Sequence, residues 1–130
     1  MATLTPTLTL TSSDTSSDTL SLSVTDSLTV GAPAVGPSKV AVAASSGSET
    51  TFIASGADNQ YTFIKHTGYQ ADGSTATTHQ LAVGLGGNAD LIRLKAGEFA
   101  WFPSKSSGSV TAKSASTHQI LVEYAYWTAA

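Results

Sequence analysis

Apolar residues in this chain recur at every second position, and no segment of about 11 residues or more carries helical spacing. Because successive side chains of a strand point to opposite faces, such a pattern admits strands with one apolar face and little else. Leu20, Leu22, Val24, Leu28 and Val30 all occupy even positions, and Leu4, Leu8 and Leu10 share that parity. Both runs are therefore predicted to be half-buried strands. Between them SSDTSSDT, residues 12–19, is rich in residues that bond their own backbone and predicts a turn or loop. Asp26-Ser27 interrupts the second run and predicts a bulge there.

GAPAVGP, residues 31–37, carries Gly and Pro at both ends and no periodicity. It is expected to link an N-terminal Ser/Thr-rich β arm, residues 1–30, to a main domain over residues 38–130. In that domain strand patterns follow one another: KVAVAAS, ETTFIAS, QYTFIKHT, TTHQLAVGL, ADLIRLKA, EFAWFP, SVTAKSAS and THQILVEYAYW. SSGS, GADN, ADGS, GGN, KAGE and SSG separate them as turns. Eight short strands at intervals of roughly 8 to 12 residues imply an all-β, antiparallel sandwich. In the last run Ile120, Val122, Tyr124 and Tyr126 share one face while Leu121 and Trp127 take the other. A strand apolar on both faces is expected at the centre of a sheet or under a partner.

Composition narrows the function. Charged residues are only 12% of the chain, while Ser and Thr supply about three residues in ten, so polarity comes from hydroxyls, which suit strands better than Lys, Glu or Asp. Net charge is −3 and the six basic residues are scattered, which leaves no electrostatic footprint for nucleic acid. The N-terminal residues lack the basic start and apolar core of a signal peptide, and no stretch approaches the roughly 18 apolar residues of a membrane span. The chain is thus expected to be made in the cytoplasm and to stay off membranes. With no cysteine there are no disulfides and no thiolate metal sites, so stability is expected from packing or assembly.

No constellation of catalytic residues stands out. His79 and His118 lie in the near-repeats TTHQLAV and STHQILV and are expected to make hydrogen bonds at the rim of the core; His66 would be the third ligand if a metal bound them. Asp14, Asp18, Asp58-Asn59 and Asp72-Gly73 could offer oxygens to calcium, but they lack the alternation of an EF-hand loop and read as turn residues. No Gly-x-Ser-x-Gly elbow is present, and neither an enzyme nor a cofactor is expected. Trp101, Phe102, Tyr124, Tyr126 and Trp127 are expected in the core, an interface or a sugar-stacking surface being the alternative.

LKAGEFAWFP, residues 94–103, resembles the strand, Gly-Glu turn and aromatic strand of jelly-roll domains, where Gly97 would sit at positive φ and Pro103 would close an edge. Gly97 and Pro103 also fit the first part of the second cupin motif, but no His-x-His pair exists, so a cupin enzyme's metal site is not implied. Over residues 38–130 the chain resembles the small jelly-roll virion proteins of tailed phages, capsid decoration (cement) proteins in particular. The resemblance implies a virion protein made in the host cytoplasm, a homo-oligomer with a trimer favoured, whose partner is the major capsid protein or another virion protein. The arm would provide attachment through Leu4, Leu8, Leu10, Leu20, Leu22 and Val24. A receptor- or carbohydrate-binding tip of a tail fibre is the alternative function, and a cupin-like enzyme a third that the missing histidines disfavour.

Overall fold

The computed structural model describes residues 2–14, 19–56 and 58–130. Among these residues there is no helix, so none is long and apolar enough to cross a membrane. Eleven strands form: β1 (Ala2–Leu4), β2 (Thr7–Ser12), β3 (Leu20–Thr25), β4 (Leu28–Val42), β5 (Thr50–Ile53), β6 (Gln60–Gln70), β7 (Leu81–Leu85), β8 (Asn88–Leu94), β9 (Phe99–Ser104), β10 (Val110–Ser114) and β11 (Ile120–Ala129).

Their pairing is nested. β7 pairs with β8, β6 with β9, β5 with β10 and β4 with β11, all antiparallel, as if one long hairpin had been rolled up. Its tip is Gly86-Gly87, with φ of 58° and 86°, bracketed by the pair Leu85↔Asn88. Positive φ at both central residues is what a two-residue turn matched to strand twist requires, and glycine adopts it without a Cβ clash. The pairs β6–β11 and β7–β10 complete two sheets, in the orders β1-β4-β11-β6-β9 and β5-β10-β7-β8. The molecule is an antiparallel β-sandwich, with β2 and β3 forming a separate two-stranded sheet.

Alternation along each strand fills the space between the sheets. Ile64 of β6 and Ile120 and Val122 of β11 face Ile53 of β5, Leu81 and Val83 of β7 and Val110 of β10, all fully or almost fully buried. Each such aliphatic side chain contributes on the order of 1.5 to 3 kcal/mol through burial. β11 is central, between β4 and β6, in keeping with its two apolar faces. The turn before β9 is also as expected: Gly97 has φ of 85°, the Glu98 N–H donates to the Lys95 carbonyl at 3.0 Å, and the Glu98 carboxylate accepts the Lys95 N–H at 2.7 Å.

Residues 31–37 correct the expected linker. They are the middle of β4, a 15-residue strand laddered to β11 from Val30↔Ala129 to Val42↔Ile120. The register shifts opposite Tyr124/Tyr126 and Trp127/Thr128 absorb the extra residues and erase the period-2 signal. Pro33 and Pro37 are tolerated because both fall within those register shifts, without a partner in β11, and because among the described residues β1 pairs only with residues 28–30 on the other edge of β4. Val30 is buried, so the sandwich begins at Leu28 and the preceding segment divides: β1 joins the sandwich sheet, and β2–β3 stands apart.

Candidate functional site

Parity that sends Thr62, Ile64 and His66 inward sends Tyr61 and Phe63 outward. The register of β9 and β11 places further rings beside them: Trp101 lies across from Phe63, Phe99 across from Lys65, Pro103 across from Tyr61 and Trp127 across from Tyr61 on the other side. Trp101 is the hub. Its ring stacks on Tyr61 with centroids 6.1 Å apart and planes 10° apart, and it meets Trp127 at 6.0 Å. Phe63 and Phe99 extend the surface, 6.4 Å apart. The outer face of the larger sheet is therefore paved with rings that mostly touch one another and leave their outer surfaces accessible.

The opposite wall comes from the N-terminal segment. Leu4 of β1, paired with Leu28 of β4, together with Pro6, Leu8 and Val24, encloses a cleft of about 740 Å³ against the rings. Above it rises the β2–β3 hairpin, in which Leu8 pairs with Val24, Leu10 with Leu22 and Ser12 with Leu20. Five aliphatic side chains consequently share one face, and each remains 41% to 54% exposed. The other face carries only hydroxyls, among them Thr7 and Thr25 at 3.1 Å and Thr9 and Ser23 at 3.5 Å. A short base fixes the hairpin: the Asp26 N–H donates to the Pro6 carbonyl at 3.1 Å, and Asp26 turns its carboxylate to the Ser27 N–H at 2.7 Å.

Of the attachment residues expected from sequence, Leu4, Leu8 and Val24 line the cleft, whereas Leu10, Leu20 and Leu22 continue the stripe along the hairpin beyond it. The expected aromatic core is corrected in part. Phe102, Tyr124 and Tyr126 pack against the buried cluster, Tyr124 meeting Phe52 edge-on at 5.2 Å, but Trp101 and Trp127 face outward. Sequence reasoning missed Tyr61, Phe63 and Phe99. The available signal was the alternation Tyr61-Thr62-Phe63-Ile64, whose two parities are both apolar enough to point inward.

The ring hydrogen bonds expected of His79 and His118 are made instead by His66. His66 is fully buried; its Nδ1 accepts the Gly68 N–H at 2.9 Å and its Nε2 donates to the His79 carbonyl at 2.8 Å. Both ring nitrogens are thus occupied by the backbone. His79 and His118 are exposed, with ring centroids 6.1 Å apart. Among the described residues no three His, Asp or Glu side chains gather to hold a metal.

The acidic turns behave as turns. Asp72 accepts the N–H groups of Ser74 and Thr75 at 2.9 and 2.8 Å and the Thr75 hydroxyl at 2.5 Å, which together, the hydroxyl foremost, hold its carboxyl at about 2 instead of 3.8. Asp14 accepts the Ser12 hydroxyl at 2.9 Å, and Asn59 takes the Ser106 N–H at 2.8 Å. Asp18 lies outside the described residues. Comparisons with family models, curated proteins and solved structures produce no match to this chain.

Proposed function

We propose that this chain is a structural protein of a tailed-phage virion, a capsid decoration (cement) protein that binds and stabilises the major capsid shell. The observation that carries the reading is the hairpin: five aliphatic side chains displayed on one exposed face, backed by a hydroxyl ladder. Contiguous exposed apolar surface marks an interaction site, and an arm of this kind reaches a neighbouring chain while its polar face stays wetted. Support from the fold comes from the nested pairs β4–β11, β5–β10, β6–β9 and β7–β8, which match the strand order expected of a jelly roll. The reading requires no catalytic residue and no cofactor, and it assigns attachment to Leu8, Leu10, Leu20, Leu22 and Val24, with Leu4 at the root of the arm.

The test is occupancy. Purified protein added to particles lacking it should bind and raise their resistance to heat or low salt, while a chain lacking residues 1–26 should bind far less. An intact protein that leaves every such particle bare sinks the proposal. The row Tyr61, Trp101 and Trp127 favours a second reading, a carbohydrate-binding tip of a tail fibre, because sugar rings stack on such surfaces. Glycan binding by the isolated protein that is lost in Trp101→Ala would favour that reading over the first.

A further inference from the structure

The hairpin stripe and the aromatic cleft are chemically matched, and one chain carries both. We infer that the cleft of one chain takes up the hairpin of a second copy, so that copies exchange arms reciprocally or around a ring. The inference rests on the hairpin being an assembly arm, and it holds whether or not the assembly is a virion.

Continuity is the first argument. Leu8 and Val24 already lie in the cleft of their own chain, while Leu10, Leu20 and Leu22 carry the same stripe onward. The hairpin cannot fold back to fill its own cleft with those three residues. Two-residue connections, Thr5-Pro6 and Asp26-Ser27, join it to β1 and β4, and the Asp26-to-Pro6 hydrogen bond closes its base. Beyond that base, its described contacts are almost entirely between its own two strands.

Charge is the second. In a contact between the hairpin of one copy and the cleft of another, an unpaired charge on either surface would be buried against apolar groups, so charges must be scarce on both. Among the described residues, Asp26 is the one formally charged residue lining the cleft and the paired strands of the hairpin carry none on their apolar face, although the chain's net charge is −3. Nothing in this surface would select a strongly charged partner, whereas it suits a copy of itself.

Area is the third. The chain exposes 7268 Å². A monomeric protein of 13.2 kDa is expected to expose roughly 6,400 Å². The excess, on the order of 850 Å², reflects a two-stranded hairpin that stands off the sandwich with both faces exposed, and it is enough surface for one partner's share of a standard interface, ~800 Å². Reciprocal or cyclic exchange would draw on both a ridge and a slot of every chain.

The absence of cysteine allows a direct test. Two single-cysteine proteins, Leu20→Cys on the hairpin and Phe99→Cys at the cleft rim, are mixed and mildly oxidised. The mixed disulfide between the two proteins should exceed either homodimer. An excess of Leu20→Cys homodimer would mean that hairpins pair with each other, and the inference would fall. In parallel, the parent should sediment above monomer mass at micromolar concentration. Leu10→Ser/Leu22→Ser, with an unchanged circular dichroism spectrum, should associate roughly a hundredfold more weakly. A monomeric parent, or a double variant that associates as strongly as the parent, overturns the inference. The two proposals fail separately: a monomeric parent that still occupies particles through its hairpin refutes arm exchange alone, whereas a self-associating chain that ignores particles refutes the virion role alone.

Discussion

Leu10 and Leu22 of the hairpin and Leu81 and Val83 of the sandwich lie on strands with the same alternating pattern, yet the first pair is 45% and 41% exposed and the second pair 0%. Alternation decides which side chains share a face; it does not decide what covers that face. In the sandwich the second sheet does so, supplied by the same chain through the nested pairing. The hairpin has two strands and no second layer, a form that is marginal in water without additional packing. One pattern thus serves folding in one region and is left available for association in the other.

The contrast is tested most severely by truncating matched leucines. Leu81→Ala should open a cavity at a site with no free surface and cost about 2 to 5 kcal/mol in denaturant unfolding. Leu22→Ala in dilute protein should stay within about 0.5 kcal/mol of the parent. Equal losses would show that the hairpin is covered within its own chain and would erase the distinction between the regions.

Polar satisfaction separates them next. His66→Leu keeps the volume roughly constant but leaves the part-buried Gly68 N–H and His79 carbonyl without their ring partner. Full burial of two orphaned groups would cost about 2 to 6 kcal/mol, and because both are part-buried the variant should lose roughly 1 to 3 kcal/mol. The hydroxyl pairs of the hairpin are exposed, so Thr9→Val should move stability far less. A neutral His66→Leu would mean that water or the Gly68 turn readily replaces the ring.

Within the sandwich two glycines split packing from backbone conformation. A Cβ at Gly84 would stand 2.7 Å from Thr111 Oγ1 and 2.9 Å from the Asn88 carbonyl oxygen, so Gly84→Ala should cost about 1 to 3 kcal/mol by overpacking. At Gly97 a Cβ meets nothing within 4 Å, and only φ of 85° resists substitution. Gly97→Ala should therefore cost about 1 kcal/mol, and Gly97→Val roughly 1 to 3 kcal/mol. Reversal of the order for the two alanine variants would indicate that β7 and β10 separate easily and that the sandwich is less tightly packed than its buried cluster implies.

Much of the sandwich was legible because local chemistry and global pairing agree. The Gly86-Gly87 tip, the Gly97 turn and the central position of β11 each follow from residues within one short segment. What escaped reading depends on partners distant in sequence. Residues 31–37 look like a linker because two register shifts hide their period, and only β11, some 90 residues on, reveals a strand. In β9 both parities are aromatic, Phe99 and Trp101 against Phe102, so alternation alone could not orient the strand. The ring of His66 is explained by a carbonyl 13 residues away. The apolar stripe of the hairpin was visible at once, whereas the aromatic cleft was not, because it is assembled from β6, β9 and β11.

Acid probes a smaller effect. The hydrogen bonds to Asp72 tie the turn after β6, and its carboxyl, held at about 2, lies below the ordinary 3.8. Protons therefore bind more tightly to the unfolded chain, and the stability Asp72 contributes is complete above about 3.8 and lost as pH falls through about 2. Asp72→Asn should flatten that part of the acid unfolding profile by removing the contribution at neutral pH, so that parent and variant differ slightly at neutral pH and converge in acid; the difference is small because the group is fully exposed and well screened. An identical acid profile in the variant would mean that the turn opens before the carboxyl protonates.

The smallest effect on the fold itself is expected from removing the hairpin altogether, and its concentration dependence is informative. Deleting residues 1–26 spares Leu28 and the buried Val30, so the nested pairs from β4 to β11 remain, and only the short β1 edge is lost from the sandwich. Deletion through residue 30 would also take the first three residues of β4 and is a poorer test. At high dilution the truncated and parent proteins should melt within a few degrees of each other. If copies exchange arms, the parent gains stability by mass action as concentration rises, roughly 2.7 kcal/mol when the partner is present at a hundred times its dissociation constant. The melting temperature of the parent should then climb with concentration while that of the truncated chain stays level. Parallel curves would mean that the hairpin contributes nothing to association; a truncated chain that is unfolded even when dilute would mean that the hairpin and β1 belong to the sandwich, and that the two regions compared here are one.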